Sequence, residues 1–143
     1  MSKEILITKR DGRREPLELD KLHKVVFHAC ENITGVSESE VEIKSHIQFY
    51  TGITSAEIQE TLIKSAADLI TEETPNYQFV AGRLINYHLR KQVYGTFTPP
   101  CLCDIIQDNI DKGFYDPEIL ELYTKQEIDE LSDYIVHERD ESL

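Results

Sequence analysis

Residues 5–24, ILITKRDGRREPLELDKLHK, contain the signals that decide the fold. The opening apolar residues predict a β-strand, and the Asp11-Gly12 pair is among the strongest short-range signals for a hairpin turn. A second apolar–polar alternation over residues 15–19 predicts the returning strand. Asp20 lies at the start of an apolar helical run and favours a helix beginning there. The stretch therefore predicts strand, turn, strand and helix in succession.

Cations surround the predicted turn. The first 24 residues hold 7 basic and 5 acidic side chains. Four of the basic ones surround the turn, namely Lys9, Arg10, Arg13 and Arg14, and Lys21 lies at the start of the helix. A β-hairpin laid over a helix N-terminus, with several cations nearby, suits a polyphosphate. The other interpretation is an exposed, solvated basic hairpin, and composition alone favours that interpretation.

The net charge of −12 is distributed unevenly along the 143 residues. Residues 1–95 contain 12 basic and 14 acidic side chains, whereas residues 96–143 contain 3 basic and 13 acidic ones. The acidic second part argues against nucleic acid as a partner, because a phosphate backbone demands cations. We therefore expect two parts, a ligand-binding domain over residues 1–95 and an incomplete, acidic helical part over residues 96–143.

Apolar runs and cysteine usage indicate the compartment. No apolar run approaches the length of a membrane span, and the N-terminus lacks a signal-peptide pattern, so we expect a cytoplasmic protein without a membrane partner. Three cysteines, an odd number, favour reduced thiols. Cys101 and Cys103 are too close for an ordinary disulfide and lack the second ligand pair of a zinc site. We expect no protein-bound metal.

Hydrophobic periodicity and caps predict mostly helix. Four helices are expected at residues 19–31, from residue 37 onward, 55–70 and 77–94, and three short acidic helices at residues 101–111, 117–123 and 125–138. Ser37 is the expected N-cap of the second helix, and either Thr54 or Ser55 is the expected N-cap of the third. Residues 46–50 are aromatic and β-branched, so a short strand there is an open alternative.

Several segments in register carry a resemblance to a known family. They are ITKRDG at residues 7–12, Glu15, LDKL at 19–22, SHIQFY at 45–50, AADL at 66–69, AGRL at 81–84 and LRK at 89–91. These segments resemble an ATP-cone domain. When YGTFTPP at 94–100 and HERD at 137–140 are included, the whole sequence resembles the N-terminus of the large (alpha) subunit of class Ia ribonucleotide reductases. The resemblance implies a mainly α fold, a four-helix bundle capped by a small β-sheet of two to three strands.

The resemblance also implies a regulatory role. In that family the ATP-cone is an allosteric switch to which ATP binds as activator and dATP as inhibitor, with Mg²⁺ held through the phosphates. Inhibition changes how large subunits assemble with the radical-generating small (beta) subunit. The parent subunit is an oxidoreductase with a catalytic barrel, and the present chain is expected to be non-catalytic by itself.

Site residues follow from the resemblance by position. Four cations match those that hold the triphosphate, namely Lys9, Arg10, Lys21 and Lys91. Glu15 matches the acceptor for the adenine amino group, and apolar walls around the base are implied for Ile7, Leu22 and Ile58.

Three further site positions depart from the usual family pattern. Ser55 stands where the family usually has Thr and keeps the hydroxyl. Glu18 takes the place of Asn or Asp near the base, and Gln59 takes the place of a His tied to dATP inhibition. Because Gln59 cannot become cationic, nucleotide preference is expected to depend on these positions.

Two other functions are compatible with parts of the sequence. Nucleotide-sensing transcription regulators also contain an ATP-cone, but they carry a zinc ribbon ahead of it. Here the first strand is expected near Glu4, and the acidic second part disfavours DNA. A helical protein-interaction module with an incidental basic hairpin is the third hypothesis, and it predicts no nucleotide-dependent stabilisation.

Overall fold

The computed structural model describes residues 4–142, which divide into two compact units, residues 4–89 and 90–142. The division falls within a helix, whereas the sequence predicted a domain boundary after Gly95. The described elements are two strands, β1 (Leu6–Thr8) and β2 (Arg14–Pro16), and seven α-helices. The helices are α1 (Leu19–Cys30), α2 (Glu38–His46), α3 (Ser55–Asp68), α4 (Tyr77–Tyr94), α5 (Leu102–Asp111), α6 (Glu118–Leu122) and α7 (Lys125–Ser132), followed by a 3₁₀ helix at His137–Ser142. This mainly helical architecture with a small sheet confirms the predicted fold class.

The hairpin forms where the sequence predicted it. β1 and β2 are antiparallel, with Leu6 opposite Pro16, Ile7 opposite Glu15 and Thr8 opposite Arg14. Pro16 lacks an amide hydrogen and is tolerated because β2 is an edge strand. Over the described residues the sheet has these two strands, extended by one parallel bridge between Thr8 and Thr54.

The segment after α2 resolves the alternative left open by the sequence. α2 continues to His46, and a turn follows over residues 47–49, so the strand alternative for residues 46–50 is wrong. The segment that β1 pairs with lies further on, at residues 52–54, where Thr8 N–H donates to Ile53 O at 2.8 Å and Thr8 forms an isolated bridge with Thr54. A backbone pairing between distant segments cannot be inferred from local propensity.

A buried tyrosine hydroxyl joins the start of α2. Ser37 Oγ accepts from Glu40 N–H at 3.4 Å, as expected of an N-cap. The hydroxyl of Tyr77 accepts from Ser37 N–H at 2.9 Å and donates to Glu40 Oε2 at 2.5 Å. It therefore stands between the two partners of a capping box and attaches α4 to the N-terminus of α2.

The first unit is organised around one hydrophobic core. Its members come from β1, from all four helices α1–α4 and from the connection before α3: Ile7, Leu22, Val26, Ala29, Cys30, Val41, Phe49, Ile53, Ile58, Leu62, Ala66, Tyr77, Val80, Ala81 and Leu84. Periodicity predicted most of these helical positions. α2 is an exception, because Val41 is buried whereas Ile43 and Ile47 are 66% and 79% exposed.

The second unit is thinly packed. α5 packs on α7, and Leu102 N–H lies 3.5 Å from the Ser132 hydroxyl. Among described residues 90–142, Ile128 is the one hydrophobic side chain that is fully buried. α7 ends at Ser132, six residues earlier than predicted. The chain tightens there, with Tyr134 N–H bonding to Leu131 O and Ile135 N–H to Ser132 O, a three-residue spacing that ends the α-helix.

Candidate functional site

The hairpin turn presents the basic side chains. Lys9 N–H donates to Arg13 O at 2.8 Å, and Gly12 N–H donates to Lys9 O at 2.9 Å. Gly12 has a φ of +85°, a left-handed conformation that glycine adopts without steric cost. Arg10 lies exposed on this turn, and no ion-pair partner for it occurs among residues 4–142. Asp11 supports the turn by accepting hydrogen bonds from Arg13, and these hydrogen bonds lower the pKa of its carboxyl.

β1 fixes the start of α3 beside the hairpin. Gly52 N–H donates to Leu6 O at 2.8 Å, and the Thr8 hydroxyl donates to Gly52 O at 3.1 Å. α3 begins directly after this junction with a full capping box between Thr54 and Glu57. The hydrogen bond from Thr54 N–H, together with that from its side chain, lowers the pKa of Glu57. Since α3 begins at Ser55, its positive end lies against β1, where it favours an anion.

The three expected apolar walls belong to one cluster. Ile7 on β1, Leu22 on α1 and Ile58 on α3 are 7%, 6% and 5% exposed, and all lie in the core of the first unit. The structure therefore brings together, in one hydrophobic core, residues that lie up to 51 positions apart in sequence.

Two polar atoms on α3 are buried without a partner among the described residues. They are the Ser55 hydroxyl and the amide oxygen of Gln59, four residues apart and hence on the same face of the helix. A buried polar atom that lacks a hydrogen bond costs free energy unless a ligand or water completes it. Both atoms lie in the first turns of α3, close in sequence to the junction with β1. They fit a ligand that offers hydrogen-bond donors or a sugar hydroxyl.

His88 is a further candidate that sequence reasoning missed. Its Nδ1 is also buried and has no hydrogen-bond partner within residues 4–142. The sequence placed His88 on the apolar face of α4 and favoured a core or surface role. A histidine on an inner helix face offers no sequence signal that distinguishes a hydrogen-bonded ring from one without a partner, so this property emerges only from the three-dimensional structure.

The acidic residues of the site pair with its cations. Lys9 Nζ lies 3.8 Å from Glu15 Oε2, and Arg13 Nη1 lies 3.5 Å from Glu15 Oε1. Lys21 Nζ lies 3.1 Å from each carboxylate oxygen of Glu18. Lys9 and Glu15 are half-buried, whereas Glu18 and Lys21 are exposed. Two of the four predicted phosphate-binding cations thus have acidic neighbours from this chain.

Lys91 belongs to the second unit, so it is described separately from the other predicted site residues. Its Nζ lies 4.9 Å from the centroid of the Phe97 ring, a cation–π contact. In the same unit Arg90 Nη2 bonds to Asp140 Oδ2 at 2.9 Å. A cleft of about 450 Å³ also occurs there, with Tyr94, Pro100, Asp104 and Ile105 among its lining residues.

The described residues include neither a metal-binding cluster nor a membrane-spanning helix. Within residues 4–142 no group of three or more His, Cys, Asp or Glu is arranged to hold a metal ion. No helix in that range is long and apolar enough to cross a membrane. All three cysteines are free, and burial raises the pKa of the Cys30 thiol to about 11, which keeps it protonated and unreactive.

Comparison with known proteins decides the family. Residues 5–92 match the ATP cone domain. The chain belongs to the ATP-cone family. The match covers β1, β2, α1, α2, α3 and most of α4, so the hairpin and both helix starts described above are parts of the cone.

Curated relatives extend the similarity beyond the cone. The chain is 48% identical over 140 residues to the ribonucleoside-diphosphate reductase 1 subunit alpha of Salmonella typhimurium and, at the same level, to that of Escherichia coli. Each alignment covers 98% of this chain and 18% of the relative. The ribonucleoside-diphosphate reductase subunit alpha of Helicobacter pylori is 48% identical over 91 residues, which is 64% of this chain and 12% of the relative. The chain thus spans less than a fifth of the length of these relatives.

Proposed function

We propose that this cone is the allosteric activity domain of a ribonucleoside-diphosphate reductase alpha subunit. In this proposal ATP activates and dATP inhibits the parent oxidoreductase, and the effector changes its assembly with beta subunits and with other alpha subunits. The chain itself performs no catalysis. The relatives named above are reductase subunits, which favours this parent over a transcription regulator.

One observation carries the proposal. The Ser55 hydroxyl and the Gln59 amide oxygen are buried on the first turns of α3 without hydrogen-bond partners among residues 4–142, where β1 fixes that helix beside the cationic hairpin. Hydrogen-bonding groups, a helix N-terminus and lysines at one end of a unit match a ligand with both a polar sugar or base and a polyphosphate. An incidental basic hairpin gives no reason for the unpartnered atoms on α3.

Each of the predicted site residues except Glu18 then has a role. Lys9, Arg10, Lys21 and Lys91 bind the triphosphate, whose Mg²⁺ is held through phosphate oxygens. Glu15 accepts from the adenine amino group, Ile7, Leu22 and Ile58 contact the base, and Ser55 and Gln59 bond to sugar or phosphate. His88 is a further candidate contact, because its buried Nδ1 has no hydrogen-bond partner among the described residues. We place the protein in the cytoplasm, where the three free thiols stay reduced.

Calorimetric titration tests the proposal. We expect the purified chain to bind MgATP and MgdATP, and to bind MgGTP at least about tenfold more weakly, since Glu15 cannot accept a hydrogen bond from the guanine carbonyl. Lys9→Ala and Lys91→Ala are each expected to weaken ATP binding about ten- to a hundredfold, the value of a charge-assisted hydrogen bond.

Lys64→Ala is the matched control, because Lys64 is an exposed lysine nine residues beyond Ser55 on α3. It should bind ATP like the unmodified chain. Absence of heat and of thermal stabilisation with every nucleotide, from a folded sample, would contradict nucleotide binding and favour an interaction module.

A further inference from the structure

Glu18 occupies an unusual place at the start of α1. It is the N-cap residue, with φ −90° and ψ 101°, yet its side chain makes no capping hydrogen bond. Both carboxylate oxygens instead lie 3.1 Å from Lys21 Nζ, one turn further along the helix. Glutamate is a poor N-cap compared with Asp, Asn, Ser or Thr, so helix capping does not explain the residue.

The second lysine–acid pair of the site differs from this one. Lys9 Nζ is 3.8 Å from Glu15, and Glu15 also faces Arg13 at 3.5 Å. Glu15 is therefore shared between two cations and is held loosely by each. Glu18 has Lys21 as its one ion-pair partner within residues 4–142, at hydrogen-bonding distance. The pair is local, three residues apart and exposed, so it opens at little cost.

The distances limit where a phosphate can bind. A phosphate oxygen bonded to Lys21 lies about 2.8 Å from its Nζ. With Nζ 3.1 Å from both Glu18 oxygens, that phosphate oxygen would come within about 6 Å of the carboxylate unless the pair opens. This separation is shorter than the Debye length of about 8 Å at physiological salt, so the repulsion is not screened away.

We propose that Glu18 is a built-in counter-anion of the effector site, which occupies Lys21 and competes with the incoming phosphates. This role rests on the function proposed above and adds a regulatory element to the same site. Glu18 lowers the affinity for nucleotide and makes binding depend on how much phosphate charge the ligand brings to displace it. It acts on the phosphates through Lys21.

The experiment is a double-mutant cycle measured by calorimetric titration on the full chain. MgATP and AMP are titrated into the unmodified chain, Glu18→Gln, Lys21→Gln and the double variant. We expect Glu18→Gln to bind MgATP about three- to tenfold more tightly, since an exposed ion pair no longer has to be broken and a nearby negative charge is removed. The gain should shrink with AMP, shrink in high salt, and vanish when Lys21 is also Gln.

Glu73→Gln is the matched control. It removes the same charge from the exposed connection between α3 and α4, at the opposite end of α3 from Ser55, about 20 Å away along a 14-residue helix. Its affinity for MgATP should equal that of the unmodified chain, which separates the local effect of Glu18 from a change in net charge. Circular dichroism verifies that each variant is folded.

Three outcomes would overturn the role of Glu18. If Glu18→Gln binds MgATP no more tightly than the unmodified chain, Glu18 does not compete with the phosphates. If AMP gains as much as MgATP, or if the gain persists without Lys21, Glu18 acts at the base. If the folded chain and all variants fail to bind any nucleotide, the effector site itself is absent, a result that is distinct from an unchanged but measurable affinity.

Discussion

The two compact units, residues 4–89 and residues 90–142, differ in the size of their hydrophobic cores. The first unit buries fifteen hydrophobic residues in one cluster, whereas the second unit, as far as residue 142, fully buries Ile128 alone. Most of the net negative charge lies in the second part of the chain, because residues 96–143 contain 13 acidic but only 3 basic side chains. A unit with its own core can tolerate unpartnered polar atoms such as those of Ser55 and Gln59, because other contacts support its fold. All of the candidate effector-site residues except Lys91 accordingly lie in the unit with the larger core.

The largest expected difference between the two units is in the free energy of unfolding lost when a leucine is replaced by alanine. Leu62 on α3 is 0% exposed, and Leu62→Ala should lower the free energy of unfolding by about 2–5 kcal/mol through lost burial and the cavity left behind. Leu131 on α7 is 58% exposed, and Leu131→Ala should change the same quantity by no more than about 0.5 kcal/mol. Urea denaturation followed by circular dichroism measures both. Comparable losses for the two leucines would mean that the second unit contributes as much to stability as the first.

The two capping boxes give a sharper comparison, because their geometry is nearly identical. Thr54 and Glu57 exchange bonds of 2.8 and 3.1 Å at the start of α3, and Thr124 and Glu127 exchange bonds of 2.8 and 3.2 Å at the start of α7. Each Thr→Ala change should remove about 1 kcal/mol of local helix stability. Only Thr54→Ala should also weaken ATP binding, since α3 carries Ser55 and Gln59.

Hydrogen exchange read by mass spectrometry locates the effect of each capping change. Loss of protection should be confined to α3 for Thr54→Ala and to α7 for Thr124→Ala, and the Thr→Ser variants should restore protection because they keep the hydroxyl. An equal loss of ATP affinity in both Thr→Ala variants would show that the site does not depend specifically on the start of α3.

Local signals made much of the first unit predictable from sequence. Asp11-Gly12 predicted the hairpin, and Ser37 and Thr54 predicted the starts of α2 and α3, because turns and caps depend on a few adjacent residues. The exposure of Ile43 was not predictable. α2 is short and buries Val41 and Ser45, so its apolar residues do not mark its buried face.

The residues of the candidate site could be predicted from the sequence, but the backbone pairing that brings them together could not. Resemblance selected the residues of the hairpin, α1 and α3, and periodicity indicated that positions such as Leu22 and Ile58 face inward. The backbone pairing of Thr8 with Ile53, which places α3 beside the hairpin, joins segments 45 residues apart and has no local signal. The pairing of Lys21 with Glu18 could be predicted from the sequence, because a three-residue spacing on a helix brings side chains together.

The smallest predicted effect concerns a link within the first unit that depends on pH. His23 Nδ1 on α1 lies 2.5 Å from Glu42 Oε1 on α2. The hydrogen bond to Glu42 raises the pKa of His23, and the charges of Glu42, Asp20 and Glu38 add to the effect. A raised pKa in the folded state means that the link stabilises fully below the ordinary value of about 6.5 and is lost as pH rises through the folded-state pKa. The stability difference between the unmodified chain and His23→Gln should therefore be largest near pH 6 and disappear at alkaline pH, as measured by thermal unfolding across pH.

Glu42→Gln should remove the same pH dependence, and the double variant should lose no more than either single change. A stability difference that stays constant from acid to alkaline pH would mean that His23 contributes by packing, and the link between α1 and α2 would then be independent of its charge.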